Sequence, residues 1–217
     1  MLYEDALNSQ TESHVIAFLS TVPAQHYVLG YGSLLSRDSR ERYSQIFTPG
    51  LPVNVTGFQR AWVTRSIAEQ QTYVGAITDS NSQLNALLIP TAINPQLKDR
   101  EKDYRFVEVG VQALSFTGAP MSETLFNALE KHTFWICETL QVLPANEQFP
   151  VHQTYIDTCL SGCFEHGGET KAHAFVSQTK GWEHPRYNDR EAPKYPRAAN
   201  LDSRQHSKID AILKALS

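Results

Sequence analysis

A chain of 217 residues, 41% hydrophobic and 19% charged, is long enough to fill one good core and shorter than two full domains usually need. Its net charge of −4 argues against nucleic acid as the partner and offers no electrostatic attraction to an anionic membrane. No stretch approaches the ~18 consecutive apolar residues of a membrane span, so the expected partner is a small molecule.

The first 25 residues are acidic and carry no basic segment ahead of an apolar run, which reads as a cytoplasmic N-terminal segment. Within it Val15, Ile16, Phe18 and Leu19 predict a short helix ended by Pro23. The three cysteines, Cys137, Cys159 and Cys163, are an odd and sparse set without a disulfide framework, which suits a reducing compartment. YVLGYGSLLS, residues 27–36, is an apolar strand running into two glycines and a serine. Gly30 and Gly32 lack the Cβ atoms that would keep another group away from the main chain. Ser36 is placed to cap a helix over 37–47, which would set the N–H groups of Ser33, Leu34 and Leu35 near its positive end, able to cradle an anion or an oxyanion. Taken alone, the stretch reads first as a plain strand end softened by glycine. The dinucleotide fingerprint and the nucleophile elbow both need glycine where this chain has Leu35, and the Gly-Lys-Ser/Thr of a P-loop is absent.

Three β-type runs follow, at 53–65, 72–77 and 84–89. The last two flank the turn formers Asp79, Ser80, Asn81 and Ser82, which predicts a β-hairpin over 72–89. Several short strands in succession favour an antiparallel or barrel-like sheet over βαβ units. From 91 to 114 the chain reads as a short helix or loop behind Pro95, then a strand from Tyr104 to Val111, with Glu101 just ahead of the strand. On composition alone the charged run from Lys98 to Asp103 is a solvated turn.

Together, YGSLL at 31–35 and LKDREKDY at 97–104 resemble the two signatures of the γ-glutamylcyclotransferase-like family, and Glu101 follows Ser33 by the expected 68 residues. The resemblance spans roughly residues 25–140. It departs at Lys98, where the family often has the acid that here is displaced to Asp99. It implies an α+β fold with a small mixed, barrel-like sheet and flanking helices, and release of 5-oxoproline from a γ-glutamyl compound without metal or other cofactor. It also implies Glu101 as the catalytic general acid/base and Tyr31, Gly32, Ser33, Leu34 and Leu35 as the substrate-binding loop, with Tyr104 beside it. The chemistry suits these residue types. The substrate's own α-amine attacks its γ-carbonyl, so the protein supplies no nucleophile, only folding of the substrate, a proton shuttle and oxyanion donors. A non-catalytic binding protein on the same scaffold and an amide-releasing acyltransferase are the alternatives.

Beyond this, Ser122 caps an amphipathic helix through 132, and 134–143 reads as a strand with Cys137 a buried structural thiol. The expected organisation is an N-terminal segment (1–25), a sheet domain (26–143) and a C-terminal extension (144–217) packed on it. In the extension Tyr155, Ile156, Cys159, Leu160, Cys163 and Phe164 fall at helical core spacing, and the trailing His166 and His173 do not complete a metal-ligand pattern. Residues 174–179 could be strand or helix. Residues 181–199 interleave basic and aromatic side chains with three prolines, which reads as a packed C-terminal loop, as an interface arm or nucleic-acid contact, or as a cover over the site, with Arg190 and Arg197 the candidates in that last case for a glutamyl carboxylate. Ile209, Ile212, Leu213 and Leu216 form one face of a last helix behind Ser203, which docks on the domain or pairs with a second copy in a homodimer.

Overall fold

The computed structural model describes residues 10–21, 24–91 and 93–216. Residues 1–9 and Pro23, part of the expected N-terminal segment, lie outside the described residues. The helix expected there, α1 (Glu12–Thr21), buries Val15 and Leu19. Its neighbour β1 (His26–Gly30) is buried along four successive residues, the composition of a strand covered on both faces. β1 runs antiparallel to β3 (Gln71–Pro90) on one side and parallel to β6 (Thr133–Thr139) on the other.

The rest of the sheet is built outward from that centre. β2 (Leu51–Ser66) pairs antiparallel with β3 along nearly its whole length, and β4 (Tyr104–Val109) pairs antiparallel with β6. Two short strands, β5 (Leu114–Ser115) and β8 (Thr179–Lys180), add to β2. The order is β4-β6-β1-β3-β2-β5, with a further β3–β6 bridge at Ala76 and Glu138 that curls the sheet into a half-barrel. β7 (Val151–His152) and β9 (Arg186–Tyr187) pair separately.

The expected hairpin over 72–89 is corrected. Both of its arms belong to the single strand β3 and pair with β2, not with each other. The turn formers act inside that strand: Asp79 accepts from Asn81 N–H and Ser82 Oγ, and the register jumps from Thr56↔Gln83 to Phe58↔Thr78 opposite Gly57, whose φ of +90° favours glycine. The true β2–β3 turn is at 67–70.

Helices cover the sheet. α2 (Arg37–Ser44) is capped by Ser36 as expected, but ends early because Gln45 turns left-handed at φ 54°. α3 (Pro95–Arg100) is started by the Asn94 side chain and Pro95, and α4 (Glu123–Leu129) by Ser122. α5 (Gln153–Glu165) and α6 (Gly168–Ser177) supply Cys159, Cys163 and Phe175 to the core, so residues 174–177 are helix and 179–180 strand. The last helix, α7 (Ser203–Leu213), buries Ile209, Ile212 and Leu213 within the chain. Its cap is Asp202, with Gln205 closing a capping box, and not Ser203, which is the first helical residue. No helix among the described residues is long and apolar enough to cross a membrane.

Candidate active site

β1 ends in a single 3₁₀ turn, Ser33–Leu35, whose own hydrogen bonds come from Leu35 N–H and Ser36 N–H. The N–H groups ahead of these, from Gly32 to Leu34, have no acceptor inside the turn. The turn's carbonyls are fixed: the Arg40 guanidinium, 1% exposed, donates to Leu34 O at 2.8 Å and Leu35 O at 2.9 Å. A second buried guanidinium holds the strand end. Arg60 donates to the carbonyls of Tyr31, Asn85 and Phe175 and to the side chains of Asn85 and Thr179, with its carbon 3.8 Å from the centre of the Phe175 ring.

Close approach explains the glycines. A Cβ on Gly32 would lie 2.8 Å from Val74 and 2.9 Å from the Tyr155 hydroxyl, and one on Gly162 of α5 would lie 2.2 Å from the Leu35 carbonyl carbon. The helix therefore seats directly on the turn backbone. Leu35 is buried in that contact and does not line the cavity described next, so its expected place in a substrate-binding loop is not where it sits.

The turn faces a cavity of about 120 Å³, walled also by Glu101, Tyr104, Cys137, Tyr155, Tyr195 and Arg197. Glu101 is there because α3 stops at Arg100. Its backbone N–H makes the last helical bond, to Leu97 O, before the chain turns into β4. Leu97 is fully buried, and the helical i, i+3 spacing brings Arg100 onto the same face. The Arg100 side chain, 3% exposed, donates to Ser33 Oγ at 2.7 Å, Ser39 Oγ at 3.0 Å, Ser44 Oγ at 2.8 Å and Ser39 O at 3.1 Å, while its Nε lies 3.4 Å from Glu101 Oε1. One guanidinium thus ties the glutamate to the turn. In the sequence Arg100 is masked by its neighbours Lys98 and Asp99, which are exposed, as a solvated run should be. The acid displaced to Asp99 is at the cavity rim.

Burial pushes the Glu101 carboxyl above the ordinary carboxylate range, and Arg100, Arg197 and the Cys137 thiol only partly pull it back. Cys137, read as structural, is a wall of the cavity beside that carboxyl. The hydroxyls of Tyr31 and Tyr104 are committed to the main chain. Tyr31 donates to Cys137 O and accepts from Ala76 N–H at 3.0 Å, and Tyr104 donates to Val74 O at 2.6 Å. They shape the cavity while their hydroxyls stay occupied. Two groups on its lining, Tyr73 Oη and Glu69 Oε2, are buried and have no hydrogen-bond partner among the described residues.

From segment 181–199, Tyr195 and Arg197 reach the cavity, and the segment is stapled by Asp189. That buried carboxylate accepts from the N–H and hydroxyl of Thr154, capping α5 from a distant loop, and from Lys194 N–H. Arg197 is thereby brought to the cavity, with its Nη1 3.4 Å from Glu69 Oε1 and its Nε 3.3 Å from Tyr195 Oη. Arg190 is not. It grips Asp157 of α5 at 2.7 Å and Asp210 of α7 at 2.8 Å, which commits four hydrogen bonds of its guanidinium to bracing, and it does not line the cavity. Arg190→Met should lower stability by about 2–4 kcal/mol, because Asp157 is left buried without its charge partner; denaturant melts check this, with KM for a substrate as the control.

Several solved structures superpose on most of the chain. One described as a gamma-glutamyl cyclotransferase aligns with a TM-score of 0.51 at 10% identity, over 85% of this chain and 98% of its own. The chain has the γ-glutamyl cyclotransferase fold. An uncharacterized protein from Homo sapiens shares this cyclotransferase fold, with a TM-score of 0.50 at 11% identity over 85% and 97% of the two chains. No protein-family model and no curated protein matches the sequence. At such identities the likeness is one of fold alone.

Proposed function

We propose that the protein is an enzyme that releases 5-oxoproline from a γ-glutamyl amide by intramolecular cyclisation. The observation that carries this reading is the Arg100 bridge, which bonds Ser33 of the turn and pairs with Glu101 across one small cavity. In this mechanism the substrate's α-amine nitrogen attacks its own γ-carbonyl carbon and passes a proton to Glu101. The N–H groups of Gly32 to Leu34 receive the developing oxyanion. Glu101 then returns the proton to the amide nitrogen, the C–N bond breaks, and the amine leaves. A carboxyl raised above its usual range is a stronger base than an ordinary glutamate and a competent acid in the return step.

Recognition of the glutamyl end falls to the other wall. Arg197 suits the α-carboxylate as a planar two-donor cation, and the unpartnered Tyr73 Oη and Glu69 Oε2 are the polar atoms that a substrate's carboxylate and amino groups would satisfy. Arg197→Ala should raise KM about tenfold to a hundredfold with a smaller change in kcat, the loss of one charge-assisted contact. Steady-state kinetics of 5-oxoproline release checks both this and the reading as a whole: γ-glutamyl compounds that yield no 5-oxoproline would sink it.

A further inference from the structure

Next to the cavity lies an open depression of about 400 Å³. It begins at Lys102 and Asp103, which also line the cavity, and runs past Thr64 to Ile67, Ala68, Leu140 and Leu143. The β2–β3 turn joins the two spaces, since Ala68 lines the depression and Glu69 the cavity. Two of its side chains are the most exposed large aliphatics among the described residues: Ile67 is 76% exposed and Leu140 60% exposed, with Val142, close to Leu140 in the chain, at 50%.

Charge does not single out an occupant. Lys102 and Asp103 bring one charge of each sign, and Arg65 is already engaged, donating to Pro144 O at 2.9 Å with its guanidinium 4.5 Å from the centre of the Phe149 ring. Thr64 and Ser66 are buried, and apart from the exposed Gln141 side chain what remains to recognise a ligand is aliphatic surface. Cyclisation also leaves part of the substrate to be housed, because the amine bonded to the γ-carbonyl has to extend out of the cavity through a continuous opening.

We infer that this depression is the leaving-amine subsite and that it selects γ-glutamyl compounds whose amine carries an aliphatic body of leucine size over those with a small one. The inference rests on the cyclisation proposed above. The subsite is open, so only part of the extra side chain is desolvated, and the expected preference is about tenfold in kcat/KM, the low end of what added methylene groups give in a hydrophobic pocket.

The test measures kcat/KM for 5-oxoproline release from γ-glutamyl-leucine and γ-glutamyl-alanine with wild type, Ile67→Ser, Leu140→Ser and the double variant. Both positions are exposed enough for folding to survive, which circular dichroism verifies. The leucine-to-alanine ratio should be about ten in wild type, intermediate in each single variant and close to one in the double variant. Turnover with a flat wild-type ratio, or a ratio that the double variant leaves in place, overturns the subsite alone. No 5-oxoproline from either compound overturns the cyclisation and the subsite together.

Discussion

Glu101→Gln should abolish turnover, lowering kcat by roughly 10²–10⁴, in a protein that folds at least as well as its parent. The amide keeps the shape of the side chain and removes its proton chemistry. The stability half of the expectation follows from burial, which raises the folded-state pKa of Glu101 above its unfolded value. A group shifted in that direction contributes stability in full below its unfolded pKa and loses it as pH rises through the folded value. The wild type therefore carries the cost of an ionised, buried carboxylate at about pH 8 and is relieved of it toward about pH 4. The melting-temperature advantage of the variant should grow as pH rises from about 4 to about 8, and calorimetric melts at both ends would check it. The same shift sets the activity profile: kcat/KM of the wild type rises with pH through a value above the ordinary glutamate range.

Arg100→Met should be the most damaging single change in stability, about 3–5 kcal/mol. It removes four hydrogen bonds to α2 and the 3₁₀ turn, and it leaves Glu101 buried without its nearest cation. With that cation gone the Glu101 pKa climbs further, so the acid limb of the residual activity moves to higher pH. Arg100→Lys separates the two effects. It restores a positive charge and part of the pH profile but cannot reproduce a fork that reaches Ser33, Ser39 and Ser44 together. Urea melts with pH–rate profiles of both variants give the comparison.

What the sequence made legible is what local chemistry dictates. The glycines after β1, the Ser36, Ser122 and Asn94–Pro95 helix starts, and the break between α3 and β4 that presents Glu101 are all consequences of neighbours in the chain. The hairpin failed because Asp79–Ser82 offers the same side-chain-to-backbone bonds to a bulge as to a turn, and only the long partner strand β2 decides between them. Arg100 was hidden in a charged run whose outer members are exposed, although its spacing from Leu97 was the signal that it faces inward. Arg190 and Arg197 look alike in sequence. Which one reaches the cavity is set by Asp189, Asp157 and Asp210, partners that come from α5, α7 and the loop between them. Glu69 and Tyr73 carried no local signal at all, since only the curl of the sheet brings the β2–β3 turn beside Arg197.

The most direct test of the account is product analysis of a γ-glutamyl-amino acid beside its N-acetyl analogue, in which the α-amine cannot attack. Cyclisation predicts 5-oxoproline and the free amino acid in equal amounts from the first compound and nothing from the second. Glutamate as the product, or release of the amino acid from the acetylated compound, would show an external nucleophile at work and contradict the account.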